Sequence, residues 1–164
     1  MKVPRATYFL TLNLECYCLL YKGKLIAMTG IKTYAVRLKP GQDLKRSIQS
    51  FIIEKKLQAA WIVSGIGSLT NYCIRFANQY ATDERSGHFE IISLSGTLSA
   101  NGSHIHICVS DDNGKTIGGH LQEGSLIYTT AEIIIQSTDE LIFYREKDDV
   151  TSCVELRIEE QSIK

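Results

Sequence analysis

The sequence predicts an α+β fold: a mixed or largely antiparallel sheet carrying one main helix. Three observations lead there. Strand-like alternation opens the regular part of the chain at Thr33, and a single stretch of helical periodicity follows it directly. Beyond that helix almost every apolar run is short and bounded by Gly, Asn, Asp or Ser. One early helix followed by many strands is the pattern of a sheet with its helix segregated to one face.

The first element is "TYAVRL", which sets Tyr34, Val36 and Leu38 on one side and Ala35 and Arg37 on the other. Pro40 and Gly41 then make a turn, and Asp43 is placed to cap a helix. Through "LKRSIQSFIIEKK" the residues Leu44, Ile48, Phe51 and Ile52 recur at helical spacing, so they form the buried stripe. Lys45, Arg46, Lys55 and Lys56 are its solvated side. The strands that follow are "AAWIVSGIGSL", "YCIRFA", "FEIISLSGTLS", "HIHICVS", "AEIIIQS", "LIFYRE" and "SCVELRIE". The glycines of "GIGSL" are expected to mark a bend between two strands, because no G-x-G-x-x-G run opens a helix there. Arg75 is expected to pair with an acid such as Glu90.

At 164 residues the chain has the length of one domain, and its 44% hydrophobic and 22% charged content is that of a globular protein. Lys plus Arg and Asp plus Glu cancel at 18 each, which leaves no positive field to gather nucleic-acid phosphates. Five cysteines, an odd number, fit a reduced intracellular chain, and a cytoplasmic setting is expected, or a nuclear one in a eukaryote. The close pair Cys16 and Cys18 reads as incidental thiols. "YFLTLNLECYCLL" follows Lys2 and Arg5 with the outline of a targeting segment, but Asn13 and Glu15 interrupt it before it could span a bilayer. Residues 1–29 are therefore read as an N-terminal extension of uncertain structure, residues 30–164 as the domain, and no membrane partner is expected. A targeting role for the extension stays open.

Chemistry concentrates in "GSHIHICVSDDNGKTIGGHL", which holds three of the four histidines. On a strand His104, His106 and Cys108 share one face while Ile105, Ile107 and Val109 take the other, so the apolar set finds the core and the imidazoles face outward. His120 is the third candidate ligand. "DDNG" supplies a hairpin that returns the chain, and Gly118-Gly119 permits an unusual turn and a close approach. Three such nitrogens fit a zinc site with one open position, another divalent metal being the alternative. Cys108 could close that position instead and make the site structural. Glu123 and Asn101 are candidates to assist from outside the ligand set. Ser103, Ser110 and Asp111 lie nearby without a nucleophile-elbow pattern.

In order and spacing, "YAVRLKPGQDL", "GIGSL", "GHFEIISLSGTLS", "HIHICVSDDNGKTIGGHL" and "TTAEIII" resemble the plants-and-prokaryotes-conserved (PPC) domain family, from about Tyr34 to Arg145. The resemblance implies a compact homotrimer with one main helix per chain and a metal, generally zinc, on the histidines of the H-x-H and G-G-H motifs, here His104, His106 and His120. In plant members the domain accompanies an AT-hook and mediates contacts with protein partners. This sequence has no Arg-Gly-Arg hook core and is similar instead to the stand-alone members. The plant interaction motif Gly-Arg-Phe-Glu-Ile-Leu corresponds to Gly87, His88, Phe89, Glu90, Ile91 and Ile92. Its arginine is replaced by His88, so the plant partner contacts do not carry over.

Three functions follow as expectations. The first is a homotrimeric metal-binding module acting through a protein partner or a small ligand. The second is a zinc-dependent enzyme of unnamed substrate with an open three-histidine site. The third, disfavoured by the neutral charge and the missing hook, is a DNA-binding protein by analogy with the plant members.

Overall fold

The computed structural model describes residues 30–161, so the extension 1–29, with Cys16 and Cys18, lies outside the described residues. Eight strands and one helix are described: β1 Ile31–Leu38, α1 Leu44–Glu54, β2 Ala60–Arg75, β3 Asp83–Ser99, β4 Gly102–Ser110, β5 Thr116–Leu121, β6 Leu126–Thr138, β7 Leu141–Lys147 and β8 Val154–Glu160. No helix among the described residues is long and apolar enough to cross a membrane.

The α+β expectation is corrected. α1, with 11 residues, is the only helix among the described residues, and every strand pairing there is antiparallel, so the fold is a mainly β, antiparallel one. The reason is proportion. One short helix covers part of one sheet face and builds no helical layer of its own.

α1 itself forms as its sequence requires. The Asp43 carboxylate accepts the Arg46 backbone N–H at 2.9 Å, satisfying one of the donors left open at a helix start. Leu44, Ile48 and Ile52 are buried against a core that includes Leu38, Ile62, Ile91, Leu94, Ile133 and Ile135. Each such side chain contributes about 1.5–3 kcal/mol when fully buried, far more than one N-cap.

β2 differs from the reading of "AAWIVSGIGSL" and "YCIRFA" as two strands. It runs unbroken for 16 residues, and register shifts after Ile62, Gly67 and Leu69 absorb the irregular middle. Gly67 marks no bend between strands. A Cβ there would fall 2.1 Å from the Thr130 carbonyl oxygen, so glycine lets β2 and β6 approach.

The main sheet has the order β1-β6-β2-β3-β4-β5, and β2 also pairs with β5 through Ile74↔Leu121 and Arg75↔His120. Strands β2, β3, β4 and β5 therefore close into a ring at one end, which covers part of the β5 edge and leaves β1 as the other edge strand. The remaining hairpin, β7–β8, docks through Leu141 and Phe143 on Ala59. Arg157 lies 4.2 Å above the Tyr144 ring and pairs with Glu146 at 2.6 Å, but exposed ion pairs contribute only about 0–1 kcal/mol, so the apolar contact holds the hairpin.

Candidate metal centre

β4 presents its residues by simple alternation. Ile105, Ile107 and Val109 are buried, and His104 and His106 stand on the opposite face. Asp111 to Gly114 then turn the chain: the Asp111 carboxylate accepts the backbone N–H groups of Asn113 and Lys115, at 3.0 and 2.8 Å. The resulting hairpin sets His106 directly across from His120.

The sequence reading gave the glycine pair two roles, an unusual turn and a close approach, and the second is the one observed. Gly118 and Gly119 are ordinary strand residues inside β5. A Cβ on Gly119 would lie 2.7 Å from the Arg75 carbonyl oxygen and 2.9 Å from Ile74 Cγ2. One on Gly118 would lie 2.9 Å from the Ile107 carbonyl oxygen. The bare backbone lets β5 fit between β4 and β2, so that His120, paired with His106 across the hairpin, is also paired with Arg75 on β2.

Three ring nitrogens meet. His104 Nε2 is 3.1 Å from His106 Nε2 and 3.0 Å from His120 Nδ1, and the last two are 3.2 Å apart. Each nitrogen carries either a proton or a bare lone pair, so at least one of the three contacts sets like against like. No arrangement of protons satisfies the triangle, whereas a cation at its apex satisfies all three lone pairs. With metal–nitrogen distances of about 2.0–2.1 Å, these separations give angles of about 100° at the ion, between octahedral and tetrahedral values. Partial burial first, then the neighbouring His106 and Arg145, hold His104 below the ordinary imidazole pKa against an opposing pull from Glu155. His120 is held down by partial burial, then by Arg75 and the other two histidines. Neutral imidazoles with free lone pairs are what a metal requires.

The other candidate residues lie around this cluster or away from it. Cys108 is half-buried, opposite Gly118 in the β4–β5 register, and is not among the ligand atoms that converge. Asn101 borders the cluster's groove and donates its side-chain N–H to the Phe143 carbonyl at 3.1 Å. Glu123, beyond the end of β5, is held by Arg46 Nε at 2.7 Å. Of the motif on β3, Phe89 and Ile91 point into the core, where Phe89 meets Tyr72 edge to face, while Gly87, His88, Glu90 and Ile92 are exposed. His88 stacks on Tyr128 with centroids 4.2 Å apart.

Sequence reasoning missed the convergence of three cations, having read Lys45 as solvated and Arg75 as paired with an acid. Lys45, Arg75 and Arg145 line an open groove with His104 and His120. Arg75 does not pair with Glu90; it donates to the Gln79 carbonyl at 3.1 Å, while Glu90 sits between Ser68 and Ser110 in the sheet. Arg145 donates to the carbonyl and hydroxyl oxygens of Thr97. Their convergence depends on which distant strands pair, and no local pattern encodes that.

Fold and site together define a mainly antiparallel β domain with an accessible cluster of three imidazoles where its sheet closes. The chain belongs to the Plants and Prokaryotes Conserved (PCC) domain family, whose model matches residues 26–139. This is the family its motifs resemble. Among solved structures, a Salmonella cholerae-suis protein is 39% identical with a TM-score of 0.81, over 84% of this chain and 99% of that one. A metal-containing protein of Archaeoglobus fulgidus is 28% identical with a TM-score of 0.72, over 82% and 99%. Among curated sequences, the bifunctional protein GlmU of Synechococcus sp. (strain JA-3-3Ab) is 43% identical over 79% of this chain, which spans only 21% of that protein's length. The AT-hook motif nuclear-localized protein 13 of Arabidopsis thaliana is 27% identical over 66% of this chain and 27% of its own length.

Proposed function

We propose that the chain is a metal-binding module in which His104, His106 and His120 hold one divalent ion, and that copies of it associate as a homotrimer. The observation that carries the metal is the nitrogen triangle, whose contacts no distribution of protons satisfies. Nitrogen donors without a carboxylate favour zinc over magnesium or calcium, which take oxygen. The metal-containing relative from Archaeoglobus fulgidus supports the same reading. A zinc ion bound by three residues keeps a position open for water or ligand and draws the pKa of such a water toward about 7. Here His104 and His120 line a groove, which suits a small ligand.

Self-association is supported by the sheet face that α1 does not cover. Val63, Ile66, Ile92 and Tyr128 are 52%, 56%, 57% and 42% exposed there. The register that pairs Gly67 with Ile91 also brings Ile66 beside Ile92, so these two exposed side chains adjoin. A patch of that kind marks an interaction surface.

The test is metal analysis of the purified chain beside His104→Ala and His120→Ala, with the mass in solution measured for each. About one equivalent of zinc per chain, lost in both variants, and a trimeric mass are the expected results. A metal-free wild type sinks the metal reading, and a monomeric mass sinks the assembly.

A further inference from the structure

The groove beside the histidine cluster has a charge composition that the metal alone does not explain. It is open, encloses about 920 Å³, and its size is that of a small-molecule site. Lys45, Arg75 and Arg145 line it, and Glu155 is the one carboxylate among the lining residues. The salt bridges among the described residues go to other cations, namely Lys32, Arg46, Lys55 and Arg157. Lys45 reaches only the Gln122 side-chain oxygen at 3.4 Å, Arg75 the Gln79 carbonyl, and Arg145 the oxygens of Thr97. Each guanidinium thus keeps further N–H donors and is anchored by neutral oxygens, with Glu155 offsetting only part of the charge on Arg145. The three cations outnumber the single carboxylate lining the groove, and an anion bound there would balance the excess.

We propose that the groove binds a small molecule carrying a carboxylate or phosphate group, held by Arg75, Arg145 and Lys45 beside the histidine cluster. Three neutral imidazoles leave a divalent ion's charge uncompensated, so an oxyanion would also complete the coordination. That part rests on the metal reading; the cationic wall does not. Guanidinium forks match the planar edge of either group, and the ammonium of Lys45 adds a point charge on the helix side.

The experiment is calorimetric titration with inorganic phosphate and, separately, malonate. Each is added to the zinc-loaded chain, to the chelator-treated chain, and to the Arg75→Gln, Arg145→Lys and Lys45→Met variants, whose zinc content and thermal midpoints are recorded alongside. Binding of at least one probe is expected, weakened about tenfold by Arg75→Gln with zinc content unchanged. The better probe identifies the group the natural ligand carries. If neither probe binds, or if binding is indifferent to all three substitutions, the proposal is overturned even where zinc is present. If the chain takes no zinc yet binds a probe through Arg75, the anion site stands and the metal reading falls.

Discussion

Gly119→Ala separates the closing of the sheet from its general stability. The added Cβ would sit 2.7 Å from the Arg75 carbonyl oxygen and 2.9 Å from Ile74 Cγ2. Ordinary contact begins at roughly 3.4–3.6 Å, so β5 must move away from β2 by about 0.7 Å. The obstacle includes backbone of a paired strand, which cannot swing aside as a flexible side chain would. Overpacking of this kind costs about 1–3 kcal/mol. A metal site tolerates displacements of only about 0.5 Å, and His120 adjoins the substituted residue, so zinc affinity should fall about 10–100-fold. Urea unfolding of the metal-free chain measures the first effect, and zinc competition against a chromophoric chelator measures the second. Gly114→Ala is the control. It has nothing within 4 Å of its added Cβ, but its φ of +78° strains any other residue, so it should lower stability while leaving zinc affinity near wild type. Equal losses of zinc affinity in the two variants would refute the idea that close β5–β2 approach positions His120.

Three further outcomes are expected. Burial and Glu84 push the Cys73 thiol up to about 11, whereas Cys153 is exposed; at pH 8 iodoacetamide should label Cys153 rapidly and Cys73 only after unfolding, as peptide mass mapping will show. Burial, then the hydrogen bond to Asp83, raises the Tyr72 phenol to about 12 from 10.0. A raised folded-state pKa gives stability that is complete below pH 10 and lost as pH climbs toward 12, so Tyr72→Phe should flatten part of that decline in urea titrations. Asp43→Ala removes acceptors for both Arg46 N–H and Gly124 N–H, and should cost about 1–2 kcal/mol in the same assay.

What was legible in the sequence was whatever short-range periodicity encodes. The alternation of His104 and His106 with Ile105 and Ile107 specified which face each takes, and Asp111 to Gly114 specified the turn that returns His120. Asp43 and the Leu44, Ile48, Ile52 spacing specified the helix and its buried side. The class was misjudged because a helix reads the same in sequence whether it forms a layer or lies alone on a sheet. β2 read as two strands because the glycines of "GIGSL" suggested a bend and Thr70 and Asn71 interrupt the apolar run, and the structure absorbs that break in register shifts. The place of Arg75 and Arg145 in the groove escaped notice for a different reason. They reach the groove through the β2–β5 pairing and the docking of β7, contacts between segments far apart in the chain. Side-chain spacing within a segment carries no information about which remote segment it will meet.

The seam between β2 and β5 is only two residue pairs long, and one of its members is His120. A seam that short opens far more readily than the extensively paired β2–β3 and β2–β6 ladders on either side. Opening it would leave His120 held by the β4–β5 ladder alone, opposite His106, and would loosen the fit of its imidazole to the other two. An ion bound by the three histidines would act as a latch, part of its binding energy going into keeping the seam closed. Residues that tighten or loosen the seam would thus tune how strongly an ion could be held there without touching a ligand atom, a dial built from backbone fit.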